Sequence, residues 1–230
     1  MITIAGRAPD IAALAEGYPE NSIERNLLTA MNDSGDRFTY DNAEQLHFEL
    51  RMRKETVNAA YAQNRSGLRF ATFTDSRCNP AYWERTTNGG FLLKEGVSPS
   101  EAVRDLYENG RAYATECATA MVMVYYMALL EVFGDEAFDR LFPSIYLMDW
   151  DVREPLLSGI GYPFPVSALL VGDRGYFRNP DVNPVTPQWQ GENVIVMPGE
   201  LFYGHGVGIQ KAEGVIRALN NNRKEGSETS

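Results

Sequence analysis

Tyr113-Ala-Thr-Glu-Cys-Ala-Thr-Ala-Met-Val-Met-Val-Tyr-Tyr-Met-Ala-Leu-Leu130 is the stretch on which the reading of this chain turns. A polar lead-in, Thr115-Glu116-Cys117, opens into thirteen uncharged residues from Ala118 to Leu130. A helix crossing a bilayer needs about 20 apolar residues, so this run suits a helix buried on all sides in a core. Thr115 is the expected N-cap, its hydroxyl accepting from a free first-turn amide, and Gly134 is the expected exit. Cys117 then falls in the first turn, where unpaired N–H groups and the helix dipole favour a thiolate. A cysteine nucleophile needs that arrangement. The competing reading is a small core hydrophobe, which is what most cysteines beside apolar runs are.

Composition narrows the field. The chain has 230 residues, 44% of them hydrophobic and 23% charged, which are globular values with length enough for a substantial core. Net charge is −10. No basic stripe is present, which argues against nucleic acid as a partner, whereas basic, lysine-bearing partners are favoured electrostatically. Met1-Ile-Thr-Ile-Ala-Gly-Arg7 lacks the pattern of a signal peptide, so cytoplasmic synthesis and no membrane association are expected. Two cysteines, Cys78 and Cys117, allow at most one disulfide; two free thiols are the simpler expectation.

Taken in order, residues 1–38 read as a brief strand followed by irregular helix and loop. Asp41-Asn-Ala-Glu44 has the form of a capping box, and Leu46, Leu50, Val57, Ala60 and Tyr61 follow at helical spacing to about Asn64; His47 on this helix is read as a surface or packing residue. Arg69 to Phe73 reads as a strand. Asn88-Gly89 sets a hairpin between Tyr82–Thr86 and Phe91–Lys94. Ser98-Pro-Ser-Glu101 launches a second helix that ends at Asn109-Gly110, and Asp135 to Leu141 forms a helical turn. From Ser144 onward strands dominate: Ser144–Met148, Ser167–Val171, Tyr176–Arg178, Glu192–Met197 and Leu201–Ile209, before a last helix from about Lys211 to Asn220. The tail, 221–230, is polar and expected to be mobile. With no repeat or linker, the expectation is one α+β domain over 1–230, its nucleophile helix packed on an antiparallel sheet.

A two-residue turn at Pro198-Gly199 would set Met197 against Glu200, Val194 against Tyr203 and Glu192 against His205. Directly opposed side chains have Cβ atoms ~5 Å apart, so carboxylate and imidazole would meet, with Gly204 and Gly206 leaving room for a substrate or another backbone. A solvated cross-strand charge pair is the bland alternative, and a one-residue slip removes the pairing. Glu116, Glu192 and His205 are the candidate bases for thiol attack on an amide. No metal-ligand spacing is present: the chain lacks Cys-x-x-Cys, His-Glu-x-x-His and a calcium loop.

The segment Asn109-Gly110, Tyr113 to Ala120, Val124-Tyr-Tyr126 and Leu129 resembles the active-site region of the spore-coat transglutaminase (protein-glutamine gamma-glutamyltransferase) of endospore-forming bacteria. Phe48-Glu-Leu-Arg51, Phe70-Ala-Thr-Phe73, Tyr82-Trp83, Asp149-Trp150, Gly172-Asp173, Tyr176 to Pro180, Gln188-Trp189, Gly191 to Ile195 and His205-Gly206 extend the likeness over roughly residues 40–215. Residues 1–38 match it poorly, and the chain stops soon after the last helix. The resemblance implies a papain-related fold with neither calcium nor cofactor. It implies Cys117 as nucleophile, Glu192 as general base with Glu116 able to assist or substitute, and His205 close by. Phe70, Trp150 and Trp189 would line a tunnel where acyl donor and acceptor meet, although core packing is the commoner use of such side chains. The implied reaction joins a protein glutamine to a lysine ε-amine and releases ammonia, the partners being spore-coat proteins. A cysteine amidase or peptidase, or a non-catalytic coat scaffold, are the alternatives.

Overall fold

The computed structural model describes residues 1–151, 157 and 165–227. The chain opens with β1 (Ile2–Ile4), α1 (Ile11–Glu16), α2 (Ile23–Asp33) and β2 (Phe38–Tyr40), β1 and β2 pairing in parallel. α3 (Ala43–Ser66) follows. Asn42 rather than Asp41 caps it, accepting from the Gln45 N–H, while Gln45 Oε1 accepts the Asp41 N–H at 2.8 Å. The cap therefore sits one residue later than expected, and Gln45 reaches back past it to the preceding residue. Gly67, at φ 84°, ends the helix in the left-handed conformation that glycine adopts most readily.

β3 (Arg69–Phe70) is shorter than the strand read from sequence. β4 (Trp83–Arg85) and β5 (Phe91–Leu93) form the predicted hairpin, and α4 (Pro99–Glu108) starts at the predicted Ser98 cap. β6 (Ala114–Thr115) pairs in parallel with β3. It leads straight into α5 (Cys117–Phe133), which Gly134 ends by donating to Leu130 O. α5 is buried almost all round and packs on α3, as its uncharged sequence requires. α6 (Asp135–Leu141) and β7 (Tyr146–Leu147) complete this half, β7 adding to the β4–β5 hairpin.

The second half is an antiparallel sheet of β8 (Arg174–Arg178), β9 (Gly191–Met197), β10 (Leu201–Gly204) and β11 (Gly208–Lys211), in the order β11-β10-β9-β8. α7 (Ala212–Asn220) packs against it. This is the expected α+β arrangement, with α5 lying on β9.

Two expected strands fail, each for a local reason. Ser167–Val171 forms no strand because carboxylates take its amides: Asp36 accepts the Ser167 N–H and Asp173 accepts the Leu170 N–H at 2.7 Å. Leu201–Ile209 is two strands, broken where Val207 N–H bonds back to Gly204 O and Gly208 sits at φ 75°.

The core has two parts. One gathers α3, α4, α5 and both main sheets around Tyr113, Tyr126 and Tyr203. The other joins Ile2, Leu27, Leu28 and Met31 to Leu46 and Leu50 at the start of α3. Of the tail expected to be mobile, residues 221–227 fold back on the 181–183 segment, with Lys224 N–H on Asp181 O and Ser227 Oγ on the Asp181 carboxylate. Residues 228–230 lie outside the described residues.

Candidate active site

Cys117 is the first residue of α5, and the residue before it determines its surroundings. Glu116, not Thr115, is the N-cap: its two carboxylate oxygens accept the N–H groups of Ala118 and Thr119, both at 2.6 Å. Thr115 is buried in β6 instead. The positive end of the helix is thus answered by Glu116, and the expectation that it would favour a Cys117 thiolate does not hold. Burial first, then the charges of Glu192 and Glu116, push the Cys117 thiol up to about 11. Burial also raises Glu116, its capping bonds pulling the other way.

Glu192 comes from β9, a strand buried along its whole length. It is 3% exposed, and Gly206 N–H donates to its Oε1 at 3.2 Å. Burial, opposed by that bond and aided by Glu116, pushes its carboxyl up to about 7.

The expected Glu192–His205 pairing is corrected by the register. Met197 pairs with Leu201 and Val194 with Gly204, so the turn holds three residues, Pro198-Gly199-Glu200, with Gly199 and Glu200 both left-handed. That one-residue slip takes His205 out of the ladder. Its Nε2 lies 3.1 Å from Arg69 O and 3.2 Å from Thr115 O. Carbonyls only accept, so Nε2 carries the proton and the ring ties β3 to β6 just ahead of the thiol. Burial lowers its pKa, the two carbonyls opposing, which keeps it neutral. Gly204 leaves room for Glu192 itself: a Cβ there would sit 2.6 Å from Glu192 Oε1.

Cys117 opens on a cleft of about 720 Å³ whose walls include Phe70, Trp150 and Tyr176. Glu192 and Trp189 are not among the residues lining it, although their chain neighbours Gln188, Gln190, Gly191 and Asn193 are. Phe70 is 39% exposed and Tyr176 50% exposed, an unusual display of aromatic surface. Asp149, at φ 49°, holds the Trp150 wall in place by donating its N–H to buried Thr119 Oγ1 at 2.7 Å. Arg174 stacks on the Trp150 ring, 4.6 Å from its centroid.

Three residues that shape the site escaped the sequence reading: Thr119, which fixes Asp149; Arg174, on Trp150; and Asn193, whose Nδ2 approaches Cys117 Sγ at 3.6 Å. Glu192-Asn193 is a polar pair inside an otherwise apolar strand, a signal that was readable for both members. Both cysteines are free, and Cys78, half-buried against the core, is likewise pushed up to about 11 by burial. Among the described residues, no group of three or more His, Cys, Asp or Glu is placed to hold a metal ion, and no helix is long and apolar enough to cross a membrane.

The profile of the protein-glutamine gamma-glutamyltransferases matches this chain from residue 1 to residue 230. The chain belongs to that family. The transglutaminase match takes in residues 1–38, where the sequence reading found little likeness. The chain is 41% identical over 210 residues to the protein-glutamine gamma-glutamyltransferase of Bacillus cereus (strain 03BB102), covering 90% of this chain and 74% of that protein. Its identity to the Halalkalibacterium halodurans protein of the same name is 39% over 227 residues, covering 99% and 78%. Among solved structures, the transglutaminase from Geobacillus stearothermophilus without its C-terminal extension superposes with a TM-score of 0.74 at 44% identity, covering 81% of this chain and 88% of that one. This transglutaminase is therefore a transferase, of a family that acts on protein-bound glutamine and lysine.

Proposed function

We propose that Cys117 is the nucleophile and Glu192 the general base of a calcium-independent glutamine–lysine crosslinking reaction. The observation that carries this is a buried carboxyl, raised to about 7, whose charge acts directly on a thiol opening to an aromatic cleft. A base works best with a pKa near the operating pH. Glu192 takes the Sγ proton as sulfur attacks the γ-carboxamide carbon, then returns it to the departing nitrogen, and ammonia leaves behind a thioester. A neutral lysine ε-amine gives its proton to the same carboxylate and attacks the thioester carbon. The C–S bond breaks, and the proton goes back to the sulfur. Aromatic walls favour the neutral amine by excluding water, a role for Phe70 and Trp150 supported by their place on the cleft.

Glu116 is assigned to holding the helix end, because both its oxygens are committed to backbone N–H groups. His205 is assigned to latching β3 to β6, since Nε2 is committed to two carbonyls. Calcium independence is supported by a sequence without a calcium loop. Spore-coat proteins as substrates are supported by the resemblance of the Cys117 segment to the spore-coat type and by an acidic chain that suits lysine-rich partners.

The test is incorporation of a fluorescent primary amine into a glutamine-bearing protein, with and without a calcium chelator. Cys117→Ala should abolish incorporation and leave the fold intact, and the chelator should change nothing. Turnover by the alanine variant would end the cysteine mechanism, and loss of activity in chelator with recovery on added calcium would end calcium independence.

A further inference from the structure

Glu192 and Cys117 account for the proton and the nucleophile, but not for the negative charge that gathers on the substrate oxygen. Asn193 is 7% exposed, and its amide is held at both ends. Arg174 Nη1 donates to Asn193 Oδ1 at 3.0 Å, and Asn193 Nδ2 lies 3.6 Å from Cys117 Sγ. A guanidinium has only donors, so it accepts no amide orientation but one: Oδ1 toward Arg174, and therefore Nδ2–H toward the sulfur. Arg174 is itself fixed by stacking on Trp150. The orientation of one amide is thus set by a chain of contacts running to the cleft wall.

We infer that Asn193 Nδ2 is an oxyanion donor of the reaction, with Arg174 the positioning residue that aims it. When Sγ bonds to the carboxamide carbon, the carbonyl π pair moves onto oxygen, and that oxygen lies one carbon from the sulfur. A donor fixed 3.6 Å from Sγ is within reach of the ~3 Å contact such an oxygen requires. Nothing is transferred: the amide donates a hydrogen bond while the charge exists, and the pair returns to the carbonyl as ammonia or the cysteine sulfur departs. The N–H of Cys117 is a natural second donor, because the N–H of a first helical residue has no partner within its own helix. The N–H groups of Ala118 and Thr119 are already taken by Glu116. The side-chain amide of Asn193 supplies what those two no longer can.

The inference rests on Cys117 being the nucleophile, so Cys117→Ala is run alongside. Asn193→Asp keeps the shape and the Arg174 contact but presents an oxygen to the site. It should lower kcat for amine incorporation about 10²–10³-fold, with the KM for the glutamine substrate within about twofold. Arg174→Met should lower kcat about tenfold, and Arg174→Lys, which restores a donor to Oδ1, should recover most of that loss. Thermal melting confirms that each variant is folded; should Asn193→Asp fail to fold, the Arg174 pair decides alone. An inactive Cys117→Ala with Asn193→Asp near wild-type kcat would overturn this inference and leave the nucleophile standing. A loss confined to KM, or Arg174→Lys no better than Arg174→Met, would overturn it equally. An active Cys117→Ala would remove the reading beneath it.

Discussion

Cys117 and Glu192 act on one another but are delivered by opposite means. Cys117 stands at the start of α5, where the backbone that places it is organised within three residues: Glu116 caps, and Ala118 and Thr119 supply the capped amides, while Asn193 reaches the sulfur from β9. Glu192 stands in the middle of a sheet and depends on partners far away in sequence, Gly206 for its hydrogen bond and Gly204 for its space. The helix end is a local device that tolerates small errors. The sheet position is a long-range one, in which a one-residue slip reassigns every neighbour. The nucleophile should therefore be robust to changes elsewhere, and the base fragile.

The strongest challenge to that contrast is Glu192→Gln. Loss of a general base typically costs 10²–10⁴-fold, and that fall in kcat is expected here, against a much smaller effect of Glu116→Gln. The wild-type pH–rate profile should rise through about 7 as Glu192 deprotonates, and the variant should lack that limb. Stability gives the same group a second readout. Its folded pKa lies above its ordinary 4.5, so the folded state holds the extra proton between 4.5 and about 7. Wild type then loses stability as pH rises through that window, by on the order of 3 kcal/mol at most, and the glutamine variant does not. Melting curves at pH 4.5 and pH 8 would show it. Parallel curves for the two proteins would place Glu192 in water rather than in the core.

Gly204→Ala sharpens the comparison while leaving both reacting residues in the sequence. The added methyl meets Glu192 Oε1 and Cγ, so kcat should fall at least tenfold while Cys117 stays in place. Overpacking of this kind costs about 1–3 kcal/mol. Normal kcat in a folded variant would mean that the position of Glu192 is not exacting. The smallest effect is expected at the local end. Glu116→Ala removes an N-cap, worth about 0.5–2 kcal/mol, and should slow turnover less than Gly204→Ala does. A Glu116→Ala variant as slow as Glu192→Gln would make Glu116 a proton carrier and not a cap.

The same contrast explains what could be read from the sequence. α4, the end of α5 at Gly134 and the β4–β5 hairpin were legible because caps, glycines and Asn-Gly turns act over a few residues, whereas the cap of α5 was read one residue early. Of the residues singled out in the sequence, Phe70, Glu116, Cys117 and Trp150 line one cleft. The link from Glu192 to His205 was lost because Glu200 adopts a left-handed conformation that lengthens the turn by one residue, which composition does not announce. Ser167–Val171 looks like a strand until Asp36, more than a hundred residues earlier, claims its backbone. Asn193 carries the same polar-in-apolar signal as Glu192, but its partner Arg174 arrives from the neighbouring strand, which no local pattern shows.

One feature of the site bears on how the protein keeps between turnovers. Burial and the neighbouring carboxylates hold the Cys117 thiol protonated, and oxidants and alkylating agents attack the ionised form. Flanked by carboxylates and capped away from the helix dipole, Cys117 is a dormant sulfur. Reagents such as iodoacetamide or peroxide should consume it more slowly than free cysteine, and no faster than Cys78.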